Sequence, residues 1–498
     1  MPALARDRPA RYNGGVDGSA PDAPSLAPDG LRLDAPRAEV LAHAARLMEE
    51  AWRSFDQARP GQPPVDRELR ALFSSGLPER AAPAARGLEE AARILDESHA
   101  PSRPRYFAFV GSSGLEIGVL ADALAACYDV NLATEAAAAN LVEAQALSWA
   151  GELVGYPAGS GAFTSGGMVS NLTALAAARE RALPGARATG LHERRSALYC
   201  SADAHYSVCR AAEILGIGSD GLRPIAVDER RRVRVEEAAA AIERDRATGV
   251  VPVAVVATAG TTLTGAVDPI GPLADLCAKE GVWLHVDGAY GLPAAAAPST
   301  AHLFRDLERA DSVAIDAHKW LYLPKACSVV LVRDPATLAA AFRHDAAYIP
   351  HEDDEVNPVD WTLEYSRPFR ALKLWLALRV HGAGAFREAI ERNLAQAQLL
   401  AREVRRHADL ELLLEPELTV VPFRHRPAGV TDLDGHNLAL AQALRRDGRV
   451  FVSAAIVDGS AWLRPCIVNY RTQDADVLAL VAIAREMGNA LARTGSSR

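Results

Sequence analysis

Between residues 115 and 373, short apolar runs alternate with amphipathic stretches, and this alternation constrains the fold more than any other feature. The runs Ala197–Cys200, Val251–Thr258, Val282–Asp287, Ser312–Asp316 and Ser328–Val332 have strand length and little polar alternation. Strands of that kind must be covered on both faces. Helical spacing of apolar residues lies between several of them, at Asn171–Arg181, His205–Leu215, Val235–Asp245 and Pro272–Glu280. Strands separated by helices predict an α/β domain with a parallel or mostly parallel sheet. Ligands of such sheets gather at the carboxyl ends of the strands.

The chain has 498 residues, too many for one core. Residues 1–35 are rich in Pro, Gly, Ala and Asp and read as a disordered tail. Residues 36–114 are helical, with Val40, Leu41, Ala44, Leu47, Met48 and Trp52 on one face. They hold too little apolar material for a core of their own, so they must pack on something larger. Residues 115–380 form the large domain, and the Gly382/Gly384 break opens a smaller α+β domain over 381–498.

A net charge of −9, with no basic cluster beyond Arg230-Arg231-Arg232, argues against a nucleic-acid partner. The apolar runs are too short and too interrupted for a membrane span, and the first residues lack the apolar core of a signal peptide. Six cysteines are scattered without a C-x-x-C pair. That pattern reads as reduced thiols in a cytoplasmic protein, with no metal site.

Chemistry is concentrated at two strand ends. Asp287 closes one apolar run and Asp316 closes the next, followed directly by Ala317-His318-Lys319-Trp320. A lone aspartate there would read as a helix cap. Two strand ends carrying Asp, then His-Lys, fit pyridoxal phosphate (PLP), which needs an amine for a Schiff base and a carboxylate at its ring nitrogen. The segments HVDGAYGLP and ADSVAIDAHKWLYLPKACSVVLVRD resemble the central signature of the group II PLP-dependent amino-acid decarboxylases. The resemblance runs from about Pro104 to Arg379, and more weakly to Arg471.

That resemblance implies a type I PLP-dependent transferase fold with a seven-stranded-type sheet. It also implies a homodimer, with 36–114 as the dimerisation segment. It makes Lys319 the Schiff-base lysine, Asp287 the partner of the ring nitrogen, Ala289 a residue under the ring and His205 the histidine stacked on it. Gly166, Gly167 and Met168 stand at the phosphate loop, with Met168 where a hydroxyl residue is usual. A helix start there can offer backbone N–H groups to an anion. Thr262 and His318 are implied near the cofactor. Asp316 stands where Asn is common, and because a carboxylate beside a phosphate is costly it is expected to point elsewhere.

Val110, Gly111 and Ser112 match the substrate-pocket segment but are smaller than the bulky residues of the family's aromatic branch, while Trp320 follows Lys319 as it does there. With no dedicated cation assignable for an acidic substrate, a hydrophobic or aromatic amino acid is expected. The charged segment 349–358 matches a closing loop whose tyrosine donates the proton to the substrate Cα. Here that position falls near Pro358, flanked by Tyr348 and Tyr365. In this family, loss of that tyrosine accompanies a shift towards oxygen-dependent aldehyde formation. An oxidative decarboxylase or other α-carbon chemistry therefore stands as the alternative to simple decarboxylation. A non-catalytic scaffold is the alternative of another class, against which Lys319, Asp287 and His205 together argue.

Overall fold

The computed structural model describes residues 31–59, 65–74, 76–133, 136–344 and 357–495. Residues 1–30 of the expected tail, and all of the expected closing loop except Asn357 and Pro358, lie outside them.

The large sheet has seven strands: β1 (Ser160–Thr164), β2 (Ser196–Ser201), β3 (Leu222–Ile225), β4 (Val251–Thr258), β5 (Trp283–Asp287), β6 (Ser312–Ile315) and β7 (Ser328–Val332). Their order is β1-β7-β6-β5-β4-β2-β3. The pairings from β3 through β6 are parallel, whereas β7 runs antiparallel to both β6 and β1. Since β1 and β6 both oppose β7, they point the same way. The carboxyl ends of β1, β2, β4, β5 and β6 therefore share one edge.

Every residue of β2, β5, β6 and β7 is buried, which explains their near-continuous apolar sequence. Successive side chains alternate between faces. Tyr199, Val255 and Leu284 join one core with Ile242 and Leu273 of the helices Val235–Ala247 and Ile270–Glu280. Leu198, Val256 and Trp283 join another, with Leu175 and Ala178 of the helix Gly167–Ala182.

A second sheet of four antiparallel strands follows: β8 (Leu410–Leu412), β9 (Phe423–His425), β10 (Ser453–Val457) and β11 (Ser460–Arg464), in the order β10-β11-β9-β8. It has its own core, built with Leu400, Leu440, Leu444 and Leu480. The long helical segment Ala371–Arg405 that leads into it is interrupted at Gly382, whose φ of 72° glycine adopts without a Cβ penalty. Among the described residues, no helix is long and apolar enough to cross a membrane.

Candidate active site

Five of the aligned strand ends open onto a cavity of about 240 Å³. Gly166, Gly167, Met168 and Asn171 come from the segment after β1, and His205 from that after β2. Gly260 and Thr262 follow β4, Asp287 and Ala289 stand at the end of β5, and Asp316 and Lys319 follow β6. The sheet direction thus brings together residues far apart in sequence.

Asp287 is fixed by a buried chain of hydrogen bonds. Trp283, His285 and Asp287 alternate along β5 and so face the same side, which the helix Gly167–Ala182 covers. Asn171 Nδ2 donates to Asp287 Oδ2 at 2.8 Å and to Ser207 Oγ at 2.9 Å. Its Oδ1 then faces His285 Nε2 at 3.0 Å and can only accept. The His285 proton therefore sits on Nε2, and Nδ1 accepts from Ser312 Oγ at 2.8 Å. Ser312 Oγ in turn accepts from Trp283 Nε1 at 2.8 Å. Burial pushes the His285 imidazole down to about 4, against the pull of Asp287, so the ring is neutral as this direction requires. The second Asp287 oxygen accepts from the Ala289 N–H at 3.2 Å.

His205 Nδ1 accepts from the Ser207 N–H at 3.2 Å, which leaves the proton of the neutral ring on Nε2. Burial holds His205 below its ordinary value, opposed by the Asp287 carboxylate. Lys319 Nζ lies 2.8 Å from Asp316 Oδ2. Burial disfavours the ammonium, yet the neighbouring Asp316 carboxylate outweighs it and Lys319 is held above its usual value.

Asp316 corrects the sequence expectation. It does not point away but lines the cavity and is buried beside the start of the helix Gly167–Ala182. A Cβ on Gly167 would stand 2.9 and 3.0 Å from its two oxygens and 2.9 Å from Ala289 Cβ. The Lys319 ammonium and the positive helix end supply the physical reason. His318 does not line the cavity. It stands behind Asp316, with Nδ1 2.8 Å from the Cys327 carbonyl and Nε2 3.8 Å from Asp316 Oδ2.

The substrate-pocket residues are not gathered here. Val110, Gly111 and Ser112 lie outside the cavity lining. Trp320 is fully buried one layer back, stacked on Tyr290 at 5.5 Å with its Nε1 donating to Asn393. Tyr290 itself is part of the wall. Pro358 begins the short turn Pro358–Trp361, and neither it nor Tyr365 reaches the cavity. Tyr348 lies outside the described residues.

Sequence reasoning missed Asn171 and Arg464. Asn171 was findable, since it follows Gly167 by one helical turn and shares its face. Arg464, at the end of β11, is buried and donates to the carbonyls of Thr262 and Phe109, while its Nη2 has no partner. Nothing local in sequence marks it.

These residues fit pyridoxal phosphate. An amine and a carboxylate share one cavity, and the helix start beside them is a cradle that a Cβ at Gly167 would fill.

The comparisons agree. The model of the "Pyridoxal-dependent decarboxylase conserved domain" matches residues 67–426. The aromatic-L-amino-acid decarboxylase of Bacillus atrophaeus is 32% identical over 475 residues, which is 92% of this chain and 98% of that protein. The cysteine sulfinic acid decarboxylase of Rattus norvegicus is 32% identical over 368 residues, 72% of this chain and 74% of its own. Among solved structures, Oryza sativa TDC with PLP and tryptamine matches with a TM-score of 0.85 at 25% identity, over 91% of this chain and 98% of that one. A lysine and a carboxylate at neighbouring ends of a mostly parallel sheet are what such an enzyme requires, and the chain belongs to the pyridoxal-dependent decarboxylase family, which uses PLP to remove the carboxylate of an amino acid.

Proposed function

We propose that the chain releases carbon dioxide from a hydrophobic or aromatic L-amino acid and yields the amine, with Lys319 as the Schiff-base residue. The carrying observation is that Lys319, Asp287 and His205 line one cavity. Bound there, the cofactor supplies an electron sink for the breaking Cα–carboxylate bond. The Asp287 carboxylate, held by Asn171 and the Ala289 N–H, would keep a proton on the ring nitrogen. The N–H groups at the helix start, at Gly167 and Met168, would hold the phosphate. Ala289 and His205 would flank the bound ring, with Thr262 and His318 supporting the site. His205, charged as the imidazolium, would deliver its Nε2 proton to Cα after carbon dioxide leaves and so return to its neutral form.

The wall residue Tyr290, stacked on the buried Trp320, supports an apolar substrate side chain. So does the likeness to an aromatic-L-amino-acid decarboxylase along 92% of the chain. A second reading is an acidic amino acid. It is favoured by Arg464, a buried guanidinium that meets only carbonyl oxygens, and by the likeness to a cysteine sulfinic acid decarboxylase. Screening all amino acids for amine release, with and without oxygen, separates these readings. Aromatic and large aliphatic substrates are expected to give amine. Turnover of acidic substrates alone would overturn the lean, and aldehyde with peroxide and ammonia would mark oxidative decarboxylation.

The proposal includes a cytoplasmic homodimer. Six free cysteines suit a reducing compartment. The helices Arg37–Phe55 and Ala84–Asp96 bury no residue within the chain, and Glu116–Tyr128 buries only Gly118 and Ala121. Leu124 and Leu141 are left 54% and 74% exposed. A second copy is the natural cover for such faces. Sedimentation at micromolar concentration should give a dimer, and a stable, active monomer would refute it.

A further inference from the structure

We propose that Asp316 is a built-in counter-ion that holds Lys319 in its resting state and competes with the cofactor's phosphate, so that it sets the pH at which the enzyme captures pyridoxal phosphate. The proposal rests on the Lys319 role given above. Asp316 is only 2% exposed, and Oδ1, unlike Oδ2, has no partner. A buried carboxylate with an unsatisfied oxygen is unfavourable unless something local holds it. Here the holders are the Lys319 ammonium at 2.8 Å and the N-terminal end of the 16-residue helix Gly167–Ala182. The other ionisable groups facing this cluster are His318 on the same turn, Asp287 at the end of β5, His205 after β2, Cys327 and Lys325 beside His318, and Cys466 from the second domain.

Two consequences follow for cofactor capture. An ammonium must give its proton to solvent before its nitrogen can add to an aldehyde, and Asp316 stabilises the ammonium. A phosphate bringing about −1.5 to −2 charges to the helix start also meets a carboxylate already beside it. Asparagine is nearly the same shape and removes both obstacles. Asp316 therefore trades speed of capture for a compensated lysine when no cofactor is bound.

The test titrates apoenzyme with pyridoxal phosphate across pH, following visible absorption for the rate and dialysis for Kd, in the unmodified protein and in Asp316→Asn. The variant should bind about tenfold more tightly, and its capture rate should rise at lower pH. Inorganic phosphate should protect the Asp316→Asn apoenzyme against thermal unfolding at lower concentration than the unmodified protein. Weaker binding with an unmoved pH profile would overturn the proposal and make Asp316 a supporting ligand. Borohydride should attach cofactor to Lys319 in both proteins. Its failure in the unmodified protein would sink the proposed function, whereas trapping in both with no gain in Asp316→Asn would sink only the role of Asp316.

Discussion

Lys319→Ala is expected to abolish decarboxylation of every substrate and to remove the visible absorption of the bound cofactor. The loss should exceed about 10⁴-fold, the upper end of what a positioned proton donor contributes, because Lys319 is asked for covalent attachment as well. One complication follows from the geometry. Removing the ammonium leaves Asp316 buried without its partner at 2.8 Å. Breaking a buried pair from one side costs about 3–5 kcal/mol, so the single variant should also melt earlier. The double variant Lys319→Ala/Asp316→Asn removes both charges and should recover most of the thermal stability while staying inactive. Measuring melting and amine release in both variants separates damage to the fold from loss of chemistry. Appreciable turnover in either would defeat the assignment of Lys319.

How much of this was legible in sequence differs between the sheet's centre and its edges. The runs Val251–Thr258 and Ser328–Val332 match β4 and β7 in full, because strands buried on both faces carry unbroken apolar sequence. β1 and β3 escaped notice. Each sits at an edge of the sheet, β1 in a stretch rich in Gly and Ser and β3 with Pro224 in its middle, which is tolerated because an edge strand need not donate on its outer side. The missing β1 hid the antiparallel pairings with β7, and with them the reason the Gly166–Met168 loop meets Lys319.

At the site, residues next to a strand end follow from the strand pattern, and the structure sets Asp287 and Lys319 in the cavity lining. Residues acting across elements do not follow from that pattern. His285 looked like one more member of a buried strand until Asn171, from a helix more than a hundred positions earlier, supplied its partner. Asp316 was misjudged for a related reason. Its surroundings are set by the start of a distant helix and by the side chain of Lys319, and neither follows from a carboxylate's preference to avoid phosphate.

The proton that returns to Cα is the step where this chain departs most from the pattern it resembles. Pro358 stands near the expected tyrosine, and among the described residues neither it nor Tyr365 lines the cavity. His205 does. Its Nδ1 is occupied by the Ser207 N–H, so the neutral ring presents Nε2–H as its remaining donor. Burial holds its pKa below the ordinary imidazole range, so the resting ring is neutral and becomes a strong acid only on taking up a second proton. His205→Gln preserves approximate size and an oxygen that can accept from Ser207, but offers a far weaker acid. Product formation should fall by about 10²–10⁴-fold while the cofactor stays bound. A long-wavelength absorption should build up during turnover, because carbon dioxide would leave faster than Cα regains its proton. In the unmodified protein this step should quicken as pH falls below the usual imidazole range, where His205 takes up a second proton and becomes a far stronger acid, and that dependence should vanish in His205→Gln. Full activity in His205→Gln, combined with loss in Tyr348→Phe or Tyr365→Phe, would return the role to a loop tyrosine and remove His205 from the proton path.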